Sequence, residues 1–374
     1  MKVGLIVPGG VDRSGEERVI PALLALVERL ARHHEVHVFA LRQEPTPSRF
    51  VVLGAVVHNI GESGSRRTRA LRVIEADHRA RPFAVLHAFW AQGPGTLAAV
   101  AGWRHRIPVL LHLAGGELIA LPEIGYGGRL SWRGRLGLRL ALAGATRVTA
   151  ATTPMIRSAA ALGVRAERVP LGVALDRWPP RAPRPGDRSR EARLLHVASL
   201  NPVKDQFTLL RAAALLRDAQ LRFRLDIVGV DTLRGGVQRH AELLRLGSVV
   251  RFHGALRHDQ VRALMDRADL LLLSSRHEAG PLVVLEAAVA GVPTVGTCVG
   301  HVAEWASEAA VGVPVGDADA LARETAALLG DDARRLSLAH EAQQRAVGED
   351  ADETARRFER IYEEIADMRT DVAR

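Results

Sequence analysis

The chain has 374 residues, more than one ordinary core needs, and suits two domains of roughly 150–200 residues each. With 47% hydrophobic and 25% charged residues it has the composition of a folded globular protein, which excludes a disordered one. The formal charge of +9 invites a nucleic-acid partner, but lysine occurs only at Lys2 and Lys204 and aromatics make up just 4%. The arginines are scattered, so neither a basic stripe nor a base-stacking platform forms, and no nucleic acid is expected. Arginine in place of lysine, beside abundant alanine and glycine, fits a GC-rich coding bias instead. The single cysteine, Cys298, excludes an internal disulfide and fits a reducing compartment. Val3–Val7 is too short for a secretory leader, and no apolar run approaches the roughly 18 residues of a spanning helix. A cytoplasmic location is expected, with peripheral contact at the inner membrane face left open.

Strand-like and helix-like segments alternate from end to end, which predicts α/β architecture with parallel sheets. Lys2–Val7 reads as a first strand. Glu16–His33 follows as a helix, with Val19, Leu23, Leu26, Val27 and Leu30 at helical spacing. Val36–Ala40, Phe83–Ala88, Val109–His112 and Arg147–Thr152 read as further strands. Residues 126–148 carry Arg129, Arg133, Arg135 and Arg139 among Leu130, Trp132, Leu136, Leu138 and Leu140. Such a segment suits an anionic membrane surface or an ordinary domain helix with a solvated face.

Four prolines between Pro179 and Pro185 forbid helix and sheet and make a stiff connection. The expected organisation is an N-terminal domain over 1–177, a linker over 178–191 and a second domain over 192–350. A last helix starts at Ala351 in the segment 351–374 and runs to about Met368, with Phe358, Ile361, Tyr362 and Ile365 on one face.

The most informative stretch is SSRHEAGPLVVLEAAVAGVPTV. Ala268–Leu273 reads as a buried strand, Ser274–Gly280 as a polar loop, and Pro281 as the opening turn of a helix that stops near Gly291. The amides of Leu282 and Val283 then point out of the helix N-terminus, which favours an anion. Glu286 lies three to four residues on, so its carboxylate projects from the same side. One helix end can thus hold a diphosphate and offer a carboxylate to nearby hydroxyls, as a nucleotide sugar requires.

The pattern Glu278-x7-Glu286, followed by Gly291-Val292-Pro293 and Gly300-x3-Glu304, resembles the donor-site signature of retaining GT-B glycosyltransferases of family 4. The likeness extends to Val3–Gly10 (first strand and glycine loop), Val169–Val173, His196–Leu200 with Lys204, Leu225–Gly229 and Val250–Gly254. It is nearly continuous in the C-terminal half and confined to strand ends in the N-terminal half. The resemblance implies two Rossmann-like domains facing across a cleft, a nucleoside-diphosphate sugar donor, transfer with retention, no cofactor and no required metal. The acceptor is left open among a small molecule, a glycan and a lipid-linked molecule. A nucleotide-sugar epimerase, a phosphorylase or a non-catalytic nucleotide-sugar-binding protein would share these features.

The resemblance also assigns roles. Glu286 would accept ribose hydroxyls, against the plainer reading of a buried carboxylate satisfied by an arginine or amide. Glu278 would sit by the transferred sugar, against a merely solvated loop residue. Lys204 would contact phosphate as a compact ammonium. Gly280, Leu282 and Val283 would offer backbone amides, with Ser199 and Gly254 completing the donor site. Ser199 stands where the family often carries arginine, so one counter-charge is lost, and Ala279-Gly280-Pro281 replaces its usual Gly-Phe-Gly. His112 would face the sugar, unless it is a satisfied polar residue ending a strand. Gly9 and Gly10 would let backbone approach an acceptor or phosphate. His301, where the family repeats glycine, would crowd the cleft or touch an acceptor. His34-Glu35-Val36-His37 is not a zinc-protease motif, since its histidines are three apart at a helix-to-strand junction. No cysteine–histidine cluster has metal-ligand spacing, and neither a P-loop nor a nucleophile elbow occurs.

Overall fold

A computed structural model describes residues 1–62, 64–187 and 189–372, with side chains described as far as residue 367. It divides the chain into two compact units, Met1–Gly172 with Glu349–Arg374, and Val173–Gly348.

The first unit carries β1 (Lys2–Val7), α1 (Pro21–Ala31), β2 (Glu35–Ala40), β3 (Ser48–Val52), β4 (Ala55–Asn59) and α2 (Arg66–Ala80). There follow β5 (Val85–Phe89), α3 (Thr96–His105), β6 (Val109–Leu113), α4 (Trp132–Gly144), β7 (Arg147–Ala150), α5 (Thr153–Ala160) and β8 (Glu167–Arg168). The strands line up as β3-β4-β2-β1-β5-β6-β7-β8. Among the described residues, only β3 runs antiparallel to its neighbour. The central strands VLHAF and VLLHL are buried at every position, as a parallel sheet covered on both faces demands.

The second unit carries β9 (Ala192–Val197), α6 (Gln206–Asp218), β10 (Phe223–Val228), α7 (Gly236–Leu243), β11 (Val250–Gly254), α8 (His258–Met265) and β12 (Leu270–Leu273). It continues through α9 (Leu282–Val289), β13 (Thr294–Thr297), α10 (Gly300–Trp305), β14 (Val311–Val313), α11 (Ala318–Gly330) and α12 (Asp332–Gly348). Its sheet is wholly parallel, in the order β11-β10-β9-β12-β13-β14. Both units are therefore Rossmann-like α/β domains.

Several sequence expectations are corrected. The first helix begins at Pro21 rather than Glu16, because Pro21 forces Ile20 into extended geometry (φ −106°, ψ 105°). The β3–β4 hairpin went unread; it turns on Leu53 and Gly54, both at positive φ, and its outer strand is half exposed and only weakly alternating. The proline-rich stretch lies inside the second unit instead of between units. Trp178, at its start, is fully buried and donates Nε1–H to the carbonyl of Glu286 at 2.9 Å. Arg188 of that range lies outside the described residues. On α4 only Leu138 and Ala141 are buried, while Trp132 and Leu136 are exposed.

The last helix, α13 (Ala351–Val372), belongs to the first unit and packs on α1. Its stripe of Ala355, Phe358, Ile361, Tyr362 and Ile365 fills that unit's core. Tyr362 Oη and His87 Nδ1 share a 2.6 Å hydrogen bond at full burial. Asp352 pairs with Arg29 at 2.9 Å, and Thr354 bridges Pro170 and Gly172. Truncating Phe358 to alanine should cost about 3–5 kcal/mol. Tyr362→Phe, which strips the buried His87 of its partner, should cost about 1–3 kcal/mol. Urea unfolding midpoints measure both, and wild-type values would show that α13 adds nothing to this core.

Candidate functional site

In a wholly parallel sheet every strand delivers its following loop to the same edge, and the second unit gathers its polar residues there. Ser199 and Lys204 follow β9, Gly254 ends β11, Glu278 and Gly280 follow β12, and Gly300 follows β13. Ser199 and Gly254 are exposed.

The centre of this edge is a three-group contact. Lys204 Nζ donates to Glu278 Oε1 at 2.6 Å, and Ser275 Oγ donates to the same oxygen at 2.6 Å. Two loops converge to make it. The loop after β9 is tied down by the Lys204 amide on the Asn201 side chain (3.1 Å) and by Ser274 Oγ on the Lys204 carbonyl (2.8 Å). Asp205 then caps α6 through Thr208. The loop after β12 is held by Thr297 Oγ1 on the Ser275 carbonyl (2.6 Å) and by the Arg276 amide on the Val203 carbonyl (2.7 Å).

Gly300 explains its own identity. Its φ is +53°, and a Cβ there would lie 2.6 Å from Pro281 Cδ and 2.9 Å from Glu278 Cβ. A side chain at this position would push against the loop that carries Glu278.

The helix α9 starts one residue later than expected, with Pro281 as its extended N-cap. Proline offers no capping side chain, so the first-turn amides of Leu282 and Val283 depend on some other acceptor. Val284, by contrast, already donates to the Pro281 carbonyl. Glu286 is buried and pairs through Oε1 with His258 Nε2 at 2.7 Å. The His258 ring lies on Trp178, with centroids 4.5 Å apart. The sequence had no local signal for His258 or Trp178, which meet Glu286 only through the fold. Ser275, three residues before Glu278, lies within the motif itself.

Behind Lys204 sits His196, fully buried. Its Nδ1 faces the Leu272 carbonyl at 2.9 Å, and Gln206 Nε2 lies 3.2 Å from its other nitrogen while also donating to the Ser199 carbonyl. Burial, with the Lys204 charge nearby, pulls this imidazole down to about 4.

Three expectations for the first unit change. His112 is fully buried, with Nδ1 on Thr149 Oγ1 at 2.9 Å and its ring among Phe89, His87 and Phe358. Burial pulls it to about 3. As placed it is a neutral, buried histidine that touches no solvent, and its Nε2 has no hydrogen-bond partner among the described residues. The Gly10 amide is spent on Gln43 Oε1 at 2.7 Å, and the Val11 amide on the same oxygen at 3.0 Å. Gly10 is needed for its φ of +89° and for Ile20, whose Cγ1 would lie 2.6 Å from a Cβ. Gly9 is likewise hemmed in, by Arg42 and Gln43. In the second unit, His301 is buried against Trp305 and so does not crowd an open surface.

Comparison with known proteins places these features in context. The description "Glycosyl transferases group 1" matches residues 182–345, and "Glycosyl transferase 4-like domain" matches residues 19–172. Glycogen synthase of Mycobacterium tuberculosis is 33% identical over 180 residues, 48% of this chain and 43% of the relative. D-inositol 3-phosphate glycosyltransferase of Salinispora tropica is 33% identical over 232 residues, 55% of this chain and 48% of the relative. The chain thus spans about half the length of these curated relatives. Among solved structures, sucrose-phosphate synthase from Thermosynechococcus elongatus superposes with a TM-score of 0.81 at 18% identity, over 98% of this chain and 99% of that one. The Anabaena protein HepE, solved with UDP and glucose, gives 0.74 at 18% identity, over 97% and 100%. At such identity the likeness speaks to the fold, the GT-B type built of two Rossmann-like domains.

Among the described residues no helix is long and apolar enough to cross a membrane.

The buried histidine behind the site makes stability depend on pH. His196 titrates near 4 when folded and near its ordinary 6.5 when unfolded, so the unfolded chain binds the extra proton between those values. Its contribution is complete above about pH 6.5 and is lost as pH falls towards 4, at roughly 1.4 kcal/mol per pH unit. Urea unfolding at a series of pH values should show a shallower acid slope for His196→Gln than for wild type. Equal slopes would mean that His196 takes up its proton without cost.

Proposed function

The chain belongs to the group 1 glycosyltransferases, and on that footing we propose that it moves a sugar from a nucleoside-diphosphate sugar to an acceptor. Transfer proceeds with retention at the anomeric carbon and without metal at the donor site. The observation that carries this reading is the Lys204–Glu278–Ser275 contact at the same sheet edge as the uncapped N-terminus of α9.

In the empty site Lys204 is neutralised by Glu278. A diphosphate offers the ammonium a stronger partner, since both of its phosphates carry charge and the α9 amides add their own attraction. Lys204 moves to the phosphate, and Glu278, still held by Ser275, is left facing the sugar. As the bond to the leaving diphosphate lengthens, positive charge grows on the sugar and negative charge on the phosphate. Glu278 stabilises the first, while Lys204 and the helix end stabilise the second. The site therefore works by supporting charge separation. Because Ser199 supplies no charge, the helix end and Lys204 carry the leaving group between them.

Glu286 holds the ribose. His258 and Trp178 fix its carboxylate in place, so the ribose hydroxyls meet an acceptor whose direction is set before binding. The first unit selects the acceptor, a small molecule, a glycan or a lipid-linked molecule.

The direct test is a melting-temperature screen of UDP-, GDP-, ADP- and dTDP-sugars in the presence of EDTA, followed by turnover assays with the donor that binds. UDP-glucose is the first probe, since the Anabaena neighbour has been solved with it. One donor should raise the melting temperature by mass action and be consumed with EDTA present. Turnover that vanishes with chelator and returns with a divalent ion would overturn the metal-free reading. Isomerisation of free donor, with no acceptor needed, would point to an epimerase.

The site residues separate in kinetics. Glu286→Gln removes binding shared by ground and transition states, so it should chiefly raise the donor KM. Glu278→Gln should chiefly lower kcat, because the charge it serves exists only during transfer. Lys204→Ala should lower kcat/KM about ten- to hundredfold, as loss of a charge-assisted contact worth roughly 1.5–3 kcal/mol implies. Calorimetry with plain nucleoside diphosphate gives the cleanest contrast. Weakening by Glu278→Gln and not by Glu286→Gln, in folded variants, would reverse the two roles.

A further inference from the structure

Away from the donor residues, in the first unit, we infer that His37, His58 and Asp77 bind a divalent cation of the zinc type that pins α2 to the sheet.

The three residues are far apart in sequence and meet through the fold. His37 lies on β2 and His58 on the adjacent parallel strand β4, where His37 pairs with Val56. Two residues beyond Val56, His58 shares that face, and its ring stacks on His37 at 5.3 Å. Asp77, on α2, reaches the same point.

The ligand atoms already form a tight triangle. His37 Nδ1 lies 3.1 Å from His58 Nε2, His58 Nε2 lies 3.0 Å from Asp77 Oδ2, and Asp77 Oδ2 contacts His37 Nδ1. Ligands on a tetrahedral zinc, with bonds of about 2.0–2.1 Å, stand about 3.3 Å apart. An ion therefore needs the two His58 sides of the triangle to open by a few tenths of an ångström, and the shorter Asp77–His37 side to open further.

Protons make the empty triangle unfavourable. His37 Nε2 is 3.1 Å from Glu35 Oε1, a carboxylate that can only accept. The proton of a neutral His37 is thus on Nε2, and its Nδ1 presents a lone pair to the Asp77 oxygen. That oxygen is buried and receives no hydrogen bond of sound geometry. Lone pair against lone pair is relieved by a proton or by a metal cation between them. The Glu35–His37 contact is also the outer-shell bond by which carboxylates orient metal-binding histidines.

Two imidazoles and one carboxylate suit zinc better than calcium or magnesium, which take oxygen ligands. Lys2 and Arg81 pair with Glu35, and Lys2 also donates to the Asp77 carbonyl, so the surrounding charge is balanced without the ion. The ion has a mechanical task here. Over its fifteen residues α2 buries only Ala70 and Ile74, too little apolar surface to hold it firmly. A bond from Asp77 to the two strand histidines supplies the missing anchor.

The full chain, stripped with EDTA and dialysed, is titrated with Zn²⁺ by calorimetry and by melting, with Co²⁺ as a visible-band probe. One equivalent should bind and raise the melting temperature, and Co²⁺ should give the strong bands of a tetrahedral site. Glu35→Gln should weaken binding about ten- to hundredfold, and His58→Gln and Asp77→Asn should abolish both the binding and the shift. His253→Gln, a control elsewhere in the chain, should bind as wild type does. Absence of binding in wild type would overturn the site and leave a protonated His37 between two carboxylates. A shift that persists unchanged in folded His58→Gln would also overturn it, by placing the metal elsewhere. These readouts do not involve sugar transfer, so they stand or fall apart from the proposed reaction.

Discussion

Parallel strand pairing is the constraint from which the rest follows. A parallel strand cannot return through a tight turn, so each crossover must carry a helix, and each strand must leave the sheet at the same edge. In the second unit this sends the loops after β9, β11, β12 and β13 to one rim. Lys204, Gly254, Glu278 and Gly300 then share one rim despite lying up to 96 positions apart in sequence. The same covering helices bury the inner strands β12 and β13 at every position, which is why LLLL can serve as one of them.

At that rim charge is held in pairs. Lys204 and Glu278 neutralise each other, and Glu286 rests on His258, so no lone carboxylate is left in a site that dehydrates it. The Lys204–Glu278 pair is also a latch. On the proposed reading, an anion strong enough to draw the ammonium away would free the carboxylate in the same movement, so that donor binding and the arming of Glu278 would be one event. The neutral histidines behind these groups have another role. His196 and His112 are interior hydrogen-bonding parts, and burial keeps them uncharged.

The two units differ in how closely their chemistry follows local sequence. The donor motif is compact, because a strand, a loop and a helix end supply it within about twenty residues, and each has a local signature. The cluster of His37, His58 and Asp77 has none. Its members sit on two strands and a helix, and only the diagonal relation across β2 and β4, together with the packing of α2, makes them neighbours. Spacing rules for metal ligands see sites built on one helix or one loop, so a site shared by three elements escapes them.

The alternation of apolar strands with amphipathic helices was enough to read α/β architecture with parallel sheets, the family resemblance implied the two Rossmann-like domains, and Pro281, Gly291 and Gly300 marked the ends of the donor motif. These features are local: buried runs, φ preferences and missing amides act over a few residues and are written where they act. The first helix was read too long because Pro21 overrides a continuous apolar pattern, and the hairpin of β3 was missed because half-exposed edge strands carry little pattern. Partners were the part that chain order could not supply. That Glu286 meets His258, that Lys204 meets Glu278, and that His112 and His301 turn inward are decided by which elements pack together. Burial and pairing are properties of the assembled core, and no window of sequence contains them.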